Sequence, residues 1–188
     1  MNEMVEEFFN DGRERMDKAV AATRNEFNSI RTGRASTSLL DRISVDYYGA
    51  RTPLKQLANI SAPEARLLVI TPYDKSVIKE IEHSIMESEL GLNPSNDGTL
   101  IRLSIPELTE ERRRELVKVI KGQAENGRVA VRNIRRDVIH ELKKLQKDGD
   151  ISEDELRWAE EELQKVTDGH TEQIDDMLKH KEAEVLEV

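Results

Sequence analysis

Apolar residues recur every three or four positions through three long stretches of this chain and alternate in a shorter region between the first two. From Leu116 onward, Ile120, Ala124, Gly127, Val131, Ile134, Val138, Leu142 and Leu145 fall within a sector of about a quarter-turn, at about 100° per residue. This predicts one helix starting after Pro106, with Thr109 as N-cap and Glu110 and Glu111 in a favourable first turn, and stopping near Gly149. An earlier helix is predicted from Asn2 to Arg31, with Val5, Phe8, Met16, Val20, Phe27 and Ile30 on one side and Gly33 just past its end as a C-cap. A third opens at Ile151, Ser152, Glu155 and Leu156, spaced as a capping box with a hydrophobic staple.

Two long helices joined by so short a connection must run antiparallel. A third apolar stripe of similar length needs the same core, which predicts a three-helix bundle built from residues 1–31 and 106–188. Residues 32–105 read differently. Ile43, Val45 and Tyr47 alternate before Gly49, Leu57 to Ile60 and Leu67 to Thr71 are short apolar runs, and Leu100 to Ile105 alternates again, as strands do. Asp74 is placed to cap a short helix through Val77, Ile78, Ile81 and Ile85, closed by Leu90-Gly91 and a turn at Leu92-Asn93-Pro94. The fold class is therefore α+β, a long three-helix bundle with a small α/β domain inserted between its first two helices. The two crossings carry Gly33, Arg34 and Pro106, and adjacent short connections are what a hinge requires.

Charge changes this picture. The formal net charge is −9, yet Leu108 to Lys147 holds 12 Lys and Arg against 6 Asp and Glu, whereas Asp148 to Val188 holds 4 against 15. On the sectors adjoining and opposite the apolar face of the second long helix lie Arg114, Lys118, Lys121, Arg128, Arg132, Arg136 and Lys143, interrupted by Glu125. Such a row suits phosphate contacts along a rigid rod, and its arginines suit multi-donor recognition. A solvated face trading salt bridges with the acidic third helix explains the same charges, although the row is expected to point mostly away from that helix. A helical adaptor for an acidic protein and a non-specific RNA chaperone are further readings of the row.

The 37% hydrophobic content allows modest cores, and 36% charged with 4% aromatic residues is a profile of helical bundles. Cysteine is absent, so disulfides and thiolate metal sites are excluded. The first twenty residues are acidic where a signal peptide is basic and apolar, and no run approaches a membrane span, which predicts a cytoplasmic protein. No phosphate loop or nucleophile elbow occurs, and no cofactor or metal is expected. His83, His140, His170 and His180 lack metal-ligand spacing and read as surface residues. Tyr47 and Tyr48 read as strand residues, one facing out. No unpaired apolar stripe is evident, which predicts a monomer.

The segments Ile30-Arg-Thr-Gly-Arg-Ala-Ser36, Gly91-Leu-Asn-Pro94 with Asp97-Gly98, Pro106-Glu-Leu-Thr-Glu-Glu-Arg-Arg113 and Val129-Ala-Val-Arg-Asn-Ile-Arg-Arg136 resemble, in order and spacing, those of the bacterial ribosome recycling factor family. Thr37 departs from the proline that many relatives carry after the Gly-Arg-Ala-Ser run, and is expected to loosen the start of a strand. The resemblance implies an L-shaped protein whose smaller domain is a β/α/β sandwich and whose bundle lies on 23S ribosomal RNA of the 50S subunit after termination. It further implies that elongation factor G, with GTP, acts on the smaller domain and hinge so that the subunits separate and release mRNA and tRNA. Arg132 matches the family's principal RNA-binding arginine, with Arg128, Arg112 and Arg31 placed beside it and Arg136 and Lys121 added from the same row.

Overall fold

A computed structural model describes residues 2–186, which form two compact units. One comprises the chain up to Arg31 and from Glu110 onward, and the other is Thr32–Thr109.

In the first unit, α1 spans Glu3–Asn28, and the Asn2 side chain caps it by accepting the Met4 N–H at 2.9 Å. Its buried face is Val5, Phe9, Gly12, Met16, Val20, Thr23 and Phe27, in unbroken steps of three or four. Phe9 takes the core position expected of Phe8, which lies about 100° off this line and is half-buried. The helix ends three residues before Arg31. Ser29 closes it with φ −76° and its N–H on the carbonyls of Asn25 and Glu26, so Gly33 is not the cap and Ile30 is only half-buried.

α4 spans Glu110–Lys147 and buries Leu116, Ile120, Ala124, Gly127, Val131, Ile134, Val138 and Leu142. Leu145, in the last turn where the bundle ends, is half-buried. There the Gly149 N–H bonds Gln146 O, the Asp150 N–H bonds Leu145 O at 2.9 Å, and Gly149 adopts φ +81° as this closure requires. α5, Glu153–Leu186, opens with the reciprocal bonds of a capping box: the Glu155 N–H donates to Ser152 Oγ at 3.1 Å, and the Ser152 N–H to Glu155 Oε2 at 3.4 Å.

Small residues set the helix spacing. A Cβ on Gly127 would collide with Thr23 Oγ1 of α1 and lie 3.2 Å from Ile174 Cδ1 of α5, and one on Gly12 would lie 2.9 Å from Val138 Cγ2. These pairs run α1 antiparallel to α4. His170, expected at the surface, is buried. It follows Ala159, Leu163 and Thr167 along the inner face of α5, and its ring nitrogens meet Val166 O and Asp17 Oδ1, each at 2.7 Å.

The second unit begins with a 3₁₀ turn, Thr37–Leu40, capped by Ser36, so Thr37 opens a turn and no strand. β1 (Ser44–Tyr47) and β2 (Ala50–Pro53) form a hairpin whose two turn residues, Tyr48 and Gly49, have φ +50° and +86°. Tyr48 is thus a turn residue. A single helical turn, α2 (Leu54–Leu57), leads to β3 (Ala58–Glu64) and β4 (Leu67–Pro72). Asp74 accepts the Ser76 N–H at 2.9 Å and caps a 3₁₀ turn that runs into α3 (Ile78–Glu87). β5 (Pro94–Asn96) and β6 (Ile101–Ser104) complete an antiparallel sheet of order β3-β4-β6-β5. Pro94, expected in a turn, begins the edge strand β5, where a residue without an N–H is tolerated.

α3 packs on β1 of the hairpin and β5 of the larger sheet, over a core that includes Val45, Leu68, Ile70, Ile81, Ile85, Ile101 and Leu103. The crossing segments are fastened side by side to the β3–β4 turn. The Ala35 N–H donates to Ala65 O at 2.6 Å, the Ile105 N–H to Arg66 O at 2.9 Å, and Arg66 pairs with Glu107 at 3.1 Å. Ile105 is buried in this core, and the compact unit runs to Thr109. Gly33 has φ +75°, and a Cβ there would lie 2.8 Å from Leu108 Cγ, so both backbone and neighbour demand glycine.

A candidate nucleic-acid interface on the longest helix

α4 is 38 residues and hence about 57 Å long. Measured from Arg132, its buried residues centre about 120° to one side, while Arg114, Lys118, Lys121, Arg128, Arg136 and Lys143 lie within about 40°. The row thus borders the core face, and its near edge overlooks α5. Arg128 Nε donates to Asp175 Oδ1 at 2.7 Å, and Lys121 and Lys143 approach Glu182 and Glu160 at 3.9 Å. The row was expected to point mostly away from the third helix. Three of its cations instead reach acidic α5 residues, because helices packed at such small residues bring long flanking side chains within range.

The far edge is open. Lys118 and Arg136 are exposed and carry no ion pair among the described residues, and Arg114 pairs with Glu110 of its own helix. Arg132 sits between, its side chain 45% exposed, with one bond of 3.3 Å from Nη1 to Glu125 Oε1. The other oxygen of Glu125 accepts Arg128 Nη1 at 3.0 Å. Hydrogen bonds from Arg128, opposed by some desolvation and reinforced by Arg132, hold the Glu125 carboxyl below the ordinary carboxylate range, so it is anionic at neutral pH.

Glu125, Arg128, Arg132 and Arg135 of α4 and Asp168 and Asp175 of α5 line an open cleft of about 520 Å³. Arg135 was missed by pattern reading. Its three-residue step from Arg132 turns it toward α5, where its Nε is buried without a hydrogen-bond partner among the described residues. That helical step was the available signal.

The other site residues named from sequence are not gathered here. Arg112 lies about 160° from Arg132 around the helix and about 30 Å along it, in the first turn, where it bonds Glu115 at 3.0 Å. Arg31 is exposed in the segment after α1, and Arg34 and Pro106 are exposed in the crossings. Only Arg128 and Arg132 share a carboxylate, and Lys121 and Arg136 continue their row.

The fold and this face define a class: a three-helix bundle, interrupted by a small α+β unit, that displays cations along its longest helix. The sequence pattern of the ribosome recycling factor family matches residues 23–186. The chain is 60% identical over 185 residues to the ribosome-recycling factor of Geobacillus sp. (strain WCH70), covering 98% of this chain and 100% of that one. It is 60% identical over 175 residues to that of Alkaliphilus metalliredigens, covering 93% and 95%. A solution structure of a ribosome recycling factor superposes with TM-score 0.72 at 42% identity over 100% of both chains. A second structure describes the T. thermophilus ribosome recycling factor and the E. coli elongation factor G bound to the E. coli post-termination complex; its matching chain gives TM-score 0.63 at 44% identity, covering 97% of this chain and 98% of that one. This chain belongs to the ribosome recycling factor family, and its function is ribosome recycling in protein biosynthesis. No helix among the described residues is long and apolar enough to cross a membrane.

Proposed function

We propose that the bundle anchors the protein on 23S RNA of the 50S subunit in the post-termination ribosome, while an elongation factor G, with GTP, works on the smaller unit and separates the subunits. The observation that carries this reading is the exposed row on α4, with Arg132 at its centre and Arg136 beside it, without an ion pair among the described residues. Neighbouring cations of the row stand about 4.5 to 6 Å apart along the rod, with two wider gaps of about 10 Å, one at Glu125 and one before Lys143, so phosphates along a backbone meet a row of side chains without the rod bending. Lys121 extends the anchor toward α5, and Arg112 and Arg31 serve as separate contacts away from the cleft.

In this reading the chain is a cytoplasmic monomer and carries no catalytic group, since nucleotide hydrolysis belongs to the GTPase. Gly33, Arg34 and Pro106 form the hinge. The bonds from Ala35 and Ile105 to the Ala65–Arg66 turn and the Arg66–Glu107 ion pair tie the crossings to the smaller unit, which supports rotation about the residues preceding Ala35.

Binding to purified 50S subunits across a salt series tests the anchor. Log affinity should fall linearly with log salt, by about 0.7 to 0.9 per phosphate contact. Arg132→Ala should weaken binding by about 1 to 3 kcal/mol through lost charge-assisted hydrogen bonds, with the helical circular dichroism retained. A folded Arg132→Ala protein with unchanged affinity would remove Arg132 from the interface.

A further inference from the structure

Glu125 is the one carboxylate set into the middle of the α4 cation row, about 20° from the direction of Arg132. It interrupts the surface that RNA is proposed to meet. Phosphate and the Glu125 carboxylate are rivals for the same guanidinium, so the position of this side chain governs how much of Arg132 remains available.

The two arginines that share it are not equivalent. The Arg128 side chain is only 20% exposed and held at two points, Nε on Asp175 Oδ1 at 2.7 Å and Nη1 on Glu125 Oε2 at 3.0 Å. Arg132 is more than twice as exposed and makes the longer bond, 3.3 Å to Oε1. Reaching a phosphate would require Arg128 to leave two charge-assisted bonds, whereas Arg132 needs to give up one weak one. Asp175 lies on α5, so the position of Arg128 is set by the packing of the bundle, and the side chain works as a fixed post.

From this geometry we infer that Arg128 is a positioning residue: braced by Asp175, it holds the Glu125 carboxylate and thereby keeps Arg132 free to engage RNA phosphate. The inference rests on the proposed RNA anchor and assigns Arg128 a role there other than direct contact. Without Arg128, Glu125 turns wholly to Arg132 and masks it. Without Glu125, there is nothing for Arg128 to hold.

The full-length protein and purified 50S subunits suffice for the test, with Arg128→Ala, Glu125→Gln and the double variant measured at several salt concentrations. Arg128→Ala alone should weaken binding by about three- to fivefold, the size of an exposed ion pair redirected onto Arg132. Glu125→Gln alone should tighten it by about threefold, because a neutral amide competes poorly for a guanidinium. In the Glu125→Gln background, adding Arg128→Ala should change neither affinity nor salt slope by more than about the error of the assay. That epistasis separates positioning from contact. If Arg128 touched phosphate, its removal would cost the same in both backgrounds and lower the salt slope in each, and the inference would fall. A Glu125→Gln protein that binds more weakly than the parent overturns it as well, and this exposed substitution leaves the Arg128–Asp175 tie to α5 intact should Arg128→Ala loosen the bundle. A parent protein with no salt-dependent affinity for 50S subunits would defeat the anchor reading itself, and the inference with it.

Discussion

Replacing Gly127 with alanine puts the helix packing of the bundle to a quantitative test. In an exposed helix interior, Gly→Ala stabilises by about 0.8 to 1.0 kcal/mol, since alanine loses less backbone freedom on folding. At Gly127 the new methyl would collide with the Thr23 hydroxyl and come within 3.2 Å of Ile174 Cδ1 and 3.4 Å of Thr23 Cβ. Overpacking of this kind costs about 1 to 3 kcal/mol. Rotating Thr23 away surrenders its 3.1 Å bond to Ala19 O in a buried setting, another loss of about 1 kcal/mol. The terms leave a net destabilisation of about 1 to 3 kcal/mol. Gly122 on α4 and Gly169 on α5 are the internal controls, because a Cβ at either meets nothing within 4 Å. Alanine there should stabilise by about 0.5 to 1 kcal/mol. Urea unfolding followed by the fluorescence of Trp158, the single tryptophan and a residue of α5, reads the bundle in all three variants. A Gly127→Ala protein as stable as Gly122→Ala would show that α1, α4 and α5 do not approach as closely as described.

Other expectations follow from the same geometry. Ser152→Ala removes one half of the capping box at the start of α5 and should cost about 0.5 to 2 kcal/mol in urea unfolding. In the smaller unit, the Thr99 hydroxyl at 2.7 Å, the Thr99 and Leu100 N–H groups at 3.0 Å and Arg102 at 3.2 Å hold the Asp97 carboxyl well below the usual carboxylate range. A folded value below the unfolded one, about 3.9, stabilises fully above it and is lost as pH falls toward the folded value. The stability difference between the parent and Asp97→Asn should therefore be constant above about pH 5 and shrink below about pH 4, as read by thermal melts of the two proteins. Replacing residues 32–109 with a short flexible linker should leave a cooperatively melting helical bundle, since its apolar stripes lie outside that range; a disordered circular dichroism spectrum would show that the smaller unit completes the bundle core.

The sequence alone determined what local periodicity and capping chemistry can carry. The α4 stripe from Leu116 to Leu142 is buried as its three- and four-residue spacing dictates, and Ser152 with Glu155 caps α5 as that spacing predicts. The cores of β1, β4, β6 and α3 were legible in the same way, because alternation and helical period each place side chains on a known face. Phe9 and not Phe8 enters the core because it lies on the line of Val5, Met16, Val20 and Phe27, a ranking that the helical period already held. Tertiary structure decided the rest. His170 is inside because Asp17, 153 positions away in the chain, supplies its partner. β2 and β5 were hidden because short strands rich in proline, arginine and asparagine owe their pairing to the strand beside them and little to propensity. At the candidate interface, composition revealed a basic row, but only the packing of α5 against α4 brought Asp175 to Arg128 and separated that clamped arginine from the open Arg132. Charge is written residue by residue, whereas the pairing of charges depends on distances that exist only once the helices have packed.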